Sequence, residues 1–189
     1  MRPTIPLADW RIAVDLDATR ALLAATPAPV CNRECEWCRN WSVAHETALP
    51  TEIAHDLRRL GLDPAKPVDL YAYREPEVPG GPIQTRVRFR VAGRVMRGPS
   101  VWIEWEEFGA ILHYSPLKSA AGVLEPGLAV WRESAAGAQP RWQARYATSV
   151  LEIDFRIPVA WMLPEPAPEV HWTPPSLRGR KTRRLSALR

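Results

Sequence analysis

The sequence predicts an α+β protein in which two N-terminal helices precede a mainly antiparallel curved sheet or open barrel. Three observations carry this reading. Apolar residues recur at helical spacing in two segments before Gly61, the period switches to two from Val68 onward, and the later segments alternate apolar with charged residues. Strands with one polar face favour antiparallel pairing, because parallel sheets are covered on both sides. Helices followed by a run of strands give α+β rather than an alternating α/β order.

Taken in chain order, residues 1–14 are expected to run extended, since Pro3 and Pro6 discourage a helix. A first helix is expected at about 17–25, with Asp15 or Asp17 as N-cap, Ala18, Ala21, Leu22 and Ala25 on one face, and Pro27 ending it. Pro50-Thr51-Glu52 opens a second, in which Ile53, Leu57 and Leu60 keep the i, i+4, i+7 spacing. Gly61 stands at its C′ position, Leu62 is placed for the apolar contact of a Schellman ending, and Asp63-Pro64 turns the chain. Three strands then carry clear alternation. Val87, Phe89 and Val91 alternate with Arg86, Arg88 and Arg90; Val101, Ile103 and Trp105 with Trp102 and Glu104; Leu151, Ile153, Phe155 and Ile157 with Glu152, Asp154 and Arg156. Shorter strands are expected at 68–74, 110–115 and 128–133, and a surface loop at 134–141. Residues 1–166 are expected to form a single domain, with 167–189 a proline-rich, basic and poorly ordered tail.

Composition narrows the classes. A chain of 189 residues with 46% hydrophobic and 24% charged residues has the make-up of one globular domain, which excludes disorder throughout. The nine tryptophans are expected in the core or at its rim. The net charge of +4 is not spread evenly. Arg178, Arg180, Lys181, Arg183, Arg184 and Arg189 lie in a stretch without acids, so the body before them is close to neutral. Nucleic acid could bind through that tail, or along the row Arg86, Arg88, Arg90, continued by Arg94 and Arg97. The plainer account of the row is pairing with Glu104, Glu152 and Asp154 across strands. No apolar run approaches the roughly 18 residues that span a bilayer, so no membrane association is expected. Three cysteines within eight residues do not make a disulfide framework, and a reducing cytoplasmic location is the expectation.

The chemistry concentrates in Cys31-Asn-Arg-Glu-Cys35-Glu-Trp-Cys38. Two thiolates separated by two residues can wrap one tetrahedral cation; Cys31 supplies a third ligand and His45 a fourth, which gives a zinc site of the Cys₃His kind. Other readings stay open. The thiols can simply pack as small apolar groups, or Cys35 and Cys38 can form a redox pair. His55 on the second helix is expected to face solvent, and His113 to lie in a strand. The chain contains no G-x-S-x-G, no phosphate-cradling glycine loop and no H-E-x-x-H, so hydrolase and nucleotide-binding readings lack support.

Two resemblances bear on this cluster. C-x₃-C-x₂-C with Trp37 before the last cysteine resembles the iron–sulfur loop of radical S-adenosylmethionine enzymes. That likeness implies a [4Fe–4S] cluster on Cys31, Cys35 and Cys38 with S-adenosylmethionine on the fourth iron, although the parallel strand–helix repeat and glycine-rich motif of those enzymes do not follow here. Over residues 15–166 the chain resembles a family of uncharacterised bacterial proteins. The likeness rests on Cys35-Glu-Trp-Cys38-Arg39-Asn40-Trp41, on Leu60-Gly61-Leu62-Asp63-Pro64, and on Pro158-Val159-Ala160-Trp161-Met162-Leu163-Pro164-Glu165-Pro166. It implies a common fold and a role for the cysteines, and it brings no activity. The resulting expectation is a small cytoplasmic accessory or interaction protein with a protein partner, rather than an enzyme.

Overall fold

The computed structural model describes residues 2–25, 35–73, 84–105, 109–119, 122–132 and 150–170. Among these, a hairpin of β1 (Thr4–Leu7) and β2 (Trp10–Val14) leads into three helices, α1 (Leu16–Ala25), α2 (Glu36–Ala48) and α3 (Thr51–Arg59). Strands follow: β3 (Asp69–Tyr73), β4 (Gln84–Arg97), β5 (Trp102–Trp105), β6 (Gly109–Leu112), β7 (Ser115–Ser119), β8 (Gly122–Arg132) and β9 (Val150–Pro158). The main sheet runs β1-β2-β4-β9-β8-β7, with β3 also paired to β4, and it curls into a half-barrel; β5 and β6 form a separate hairpin. Every pairing is antiparallel. The α+β class with a curved sheet is therefore the observed one.

The 14-residue β4 organises the sheet because it serves three partners. Its first part pairs with β9 from Gln84 to Ala92 and with β3 from Gln84 to Arg88, and its last part pairs with β2. The change of partner occurs at Gly93, where the Ala13 carbonyl lies in the space a Cβ would need. α1 locks this junction. The Thr19 hydroxyl donates to the Asp15 carbonyl at 2.8 Å and accepts the Ala92 N–H at 3.1 Å, while the Asp15 N–H bonds the Ala92 carbonyl.

The register sorts side chains onto two faces, since directly opposed residues point the same way. Leu70, Val87, Phe155 and Leu128 form one apolar row; Phe89, Ile153 and Val130 form the next. All are buried against the helices' apolar residues, including Trp41, Ile53 and Leu57. Phe89 and Phe155 meet edge to face at 6.0 Å. Burial of each such side chain stabilises the fold by about 1.5–3 kcal/mol. Trp10 and Trp41 are fully buried, as a tryptophan-rich interior requires.

Several elements follow the sequence closely. α1 begins at Leu16 with the Asp15 carboxylate accepting the Ala18 N–H at 2.9 Å. α3 ends in the expected Schellman arrangement: Gly61 has φ 82°, its N–H bonds the Arg58 carbonyl, and the Leu62 N–H reaches Leu57. His55 is exposed. Other elements differ. The cysteine segment leads not into a turn but into a third helix, α2, because Glu36–Ala48 contains neither glycine nor proline and repeats Trp37, Trp41, Ala44 and Ala48 along one side. Residues 1–14 contain a hairpin that turns at Ala8 with φ 49°. The expected strand at 110–115 divides into β6 and β7, and exposed His113 sits between them with its N–H on the Val101 carbonyl. The loop at 134–141 and the basic segment from 171 lie outside the described residues. No helix among the described residues is long and apolar enough to cross a membrane.

The α1 cap yields a pH signature. The Ala18 N–H first, then the nearby charge of Arg2, hold Asp15 below the ordinary carboxylate range despite its partial desolvation. A depressed folded pKa means that its stabilisation is present above the unfolded value near 4 and is lost as pH falls through the folded one. Asp15→Ala is expected to lower the Tm at pH 7, with the difference from wild type shrinking as thermal melts are repeated down to about pH 2.

Candidate functional site

Two groups of residues gather chemistry in this fold, one foreseen and one foreseen only in part. The foreseen group is the start of α2. Cys35 is the N-cap, with φ −68° and ψ 152°, and its sulfur accepts the Cys38 N–H at 3.4 Å. This is the geometry of a C-x-x-C step entering a helix, and it places both thiols on one turn. Cys35 is partly exposed and Cys38 is buried. Beyond Cys38 lies a pocket of about 200 Å³ between α2 and the turn after α3, bounded by Trp41, Lys66, Pro67 and Leu70. The Trp41 indole N–H fixes that turn by bonding the Pro64 carbonyl at 3.0 Å.

The other expected ligands are placed differently. His45 lies seven residues beyond Cys38, about 10 Å along the helix axis, and its Nδ1 faces the carbonyls of Trp41 and Ser42 at 3.3 and 3.1 Å. Cys31 lies outside the described residues. Among the described residues, no three His, Cys, Asp or Glu side chains converge as a metal site would require.

The same helix holds the segment that follows β9. Asn40, 2% exposed, donates from Nδ2 to the Ala160 carbonyl at 2.9 Å and accepts the Met162 N–H on Oδ1 at 2.7 Å. On either side, Trp37 meets Trp161 edge to face at 5.2 Å, and Arg39 pairs with Glu165 at 2.9 Å. Two of the three segments singled out in the sequence, the Cys-Arg-Asn-Trp stretch and the Pro-Val-x-Trp stretch, are thus held together. Asn40 is the pin, because its amide replaces a strand partner for an otherwise unpaired backbone.

The second group is the polar face of β3, β4 and β9, of which the sequence singled out the arginine row and its pairing acids. Asp69, Arg88, Asp154 and Ala129 form one cross-strand row; Tyr71, Arg86, Arg156 and Gly127 form the next. Arg86 grips Asp154 through Nε at 2.6 Å and donates from Nη1 to the Tyr71 hydroxyl at 2.8 Å. Arg90 pairs with Glu152 at 2.7 Å, and Arg88 with Asp69. Glu152 is 2% exposed and Asp154 is fully buried, so this is not the solvated strand face that alternation suggests. The arginines cover the carboxylates and neutralise them. Burial pushes the Asp154 carboxyl above the ordinary range, against the pull of Arg86, Arg88 and Tyr114. For Arg86, burial acts to lower the pKa, and the hydrogen bond and charge of Asp154 outweigh it. Tyr114 faces Asp154 closely enough to feel its charge but outside good hydrogen-bond geometry, and burial followed by that charge keeps the phenol neutral.

An α+β protein with a half-barrel sheet, a thiol pair opening a helix and a charged inner row is the class that fold and site define. The chain matches no protein-family profile, no curated protein and no solved structure.

Sequence reasoning offered pairing of the row Arg86, Arg88 and Arg90 with Glu104, Glu152 and Asp154 as one alternative; Arg86 does pair with Asp154 and Arg90 with Glu152, but Arg88 takes Asp69, and the Glu104 side chain lies outside the described residues. It missed Asp69, the three tyrosines and Arg156. A signal was available in Asp69-Leu-Tyr71-Ala-Tyr73, where charged and aromatic residues alternate at strand period just before the arginine row.

Two substitutions separate these contributions. Asn40→Ala is expected to cost about 2–3 kcal/mol in urea unfolding, because it leaves a buried carbonyl and N–H without partners, while Arg39→Ala costs under about 1 kcal/mol. Arg86→Ala is expected to cost about 3–5 kcal/mol by stranding Asp154, and the double change Arg86→Leu with Asp154→Leu to recover most of that loss.

Proposed function

We propose that the protein is a small accessory or interaction protein whose working site is the thiol pair at the start of α2, and that Cys35 and Cys38, with Cys31, bind zinc. One observation carries the proposal: the Cys35 sulfur accepts the Cys38 N–H, so both sulfurs belong to a single turn around which a tetrahedral ion can be built. Bound there, the ion would fasten the N-terminus of a helix whose next residues, Arg39 and Asn40, hold the segment after β9. Since His45 Nδ1 turns to the helix carbonyls two turns away, the fourth position falls to water or to a ligand from a protein partner. The family resemblance through the cysteine, arginine, asparagine and tryptophan residues supports a shared role for this unit.

A second reading is favoured by the unequal exposure of the pair. A partly exposed first cysteine and a buried second one suit thiol–disulfide exchange: the Cys35 thiolate attacks a substrate disulfide, releasing one thiolate, and Cys38 then displaces the other to leave a Cys35–Cys38 disulfide and a reduced substrate.

Purification without oxygen or chelator, followed by elemental analysis and an absorption spectrum, separates these readings. Stoichiometric zinc without visible colour supports the proposal, and Cys35→Ser, which alters a partly exposed side chain, is then expected to lose the ion and lower the Tm together. Metal-free protein whose two thiols oxidise reversibly supports the redox reading. Iron with broad visible absorption points to the cluster of the radical enzymes instead. Metal-free protein with inert thiols overturns the proposal.

A further inference from the structure

The guanidinium of Arg156 has no carboxylate within ion-pair distance among the described residues, whereas Arg86, Arg88 and Arg90 on the same face each have one. It stands directly opposite Arg86 in the β4–β9 register, a juxtaposition of like charges that ordinarily destabilises a sheet. The fold nonetheless builds a housing for it. The ring of Tyr114 lies 4.5 Å from the guanidinium carbon and that of Tyr73 lies 5.7 Å away. Next to Tyr114 in the chain, the Ser115 carbonyl occupies the space a side chain would need at Gly127, which lies opposite Arg156 in β8 and has φ 104°.

Aromatic rings cover the faces of a planar guanidinium and stabilise its charge, but they leave its in-plane N–H donors unused. Among the described residues, Arg156 Nε is in fact buried without a hydrogen-bond partner, and so is Oε1 of nearby Gln84. A guanidinium with an unfilled Nε donor is complementary to an oxygen of an anionic group.

We propose that Arg156, held by Tyr73 and Tyr114 beside Arg86, is an oxyanion-binding site that takes the carboxylate or phosphate of a small ligand. Gln84 Oε1 then offers an acceptor for a hydroxyl or amine on the same ligand. The site is separate from the thiol pair and does not depend on the reading given to it.

The test is titration of the full chain at constant ionic strength with inorganic phosphate and, separately, with acetate, read by the tyrosine near-UV difference spectrum. A saturable response to either anion is expected in wild type and in Arg94→Gln, which removes an exposed charge elsewhere on β4. Arg156→Gln is expected to abolish it, and Arg156→Lys, which keeps the charge and loses the fork, to weaken it at least about tenfold. Saturation by phosphate alone identifies a phosphorylated ligand, and by acetate alone a carboxylic one. A wild type without a saturable response to either anion, or equal responses in wild type and Arg156→Lys, overturns the proposal.

Discussion

The pairing of β4 with β9 is the constraint on which the rest of this structure depends. Nine consecutive registered pairs join them, and every other strand of the main sheet is attached, directly or through a neighbour, to one of the two. Both faces of this central pair are covered. One face is closed by apolar packing against the helices, where Val87, Phe89, Ile153 and Phe155 are excluded from water. The other cannot be closed that way, because its residues are charged. It is closed in part by arginines laid over carboxylates: Arg86 lies on fully buried Asp154 and Arg90 on nearly buried Glu152. A buried ion pair is weak evidence of stability but strong evidence of register, since a slip by one residue would bring charges into the apolar layer.

The fold and the two gathering points differ in how legible they were in the sequence. Local signals with a single physical meaning read correctly. Gly61 followed by Leu62 marked a helix end because only that arrangement satisfies the last carbonyls, and the alternation along 151–157 marked a strand. What alternation could not say is whether the polar face met solvent. The burial of Asp154 depends on residues about seventy positions away in β4, and no window of sequence contains both. α2 was concealed for a different reason. The cysteine spacing invited a reading as a metal-binding turn, yet a C-x-x-C step is equally able to begin a helix, with the first sulfur as its cap. The thiol pair was therefore visible as chemistry and invisible as secondary structure.

The two sites divide the molecule. The cysteines open a helix whose Trp37, Arg39 and Asn40 hold the segment after β9. The tyrosine-lined arginine lies on the inner rows of the sheet, where β8 and β7 approach closely. Their residues come from different elements, and no residue is shared between them. A loss of one can accordingly be separated from a loss of the other, provided Asp154 keeps its partner.

The bonds from Asn40 to the segment after β9 have a consequence for the order of assembly. They join residues 120 and 122 positions apart. During synthesis, α2 therefore leaves the ribosome long before the backbone that occupies Asn40 exists. The Asn40 amide and the Trp37 indole pass through an interval of nascent life without the partners they have in the folded chain, and contacts of such sequence separation close late because of their entropic cost. The latch at Asn40 closes only when the last strand has arrived and brought residues 160–162 to it.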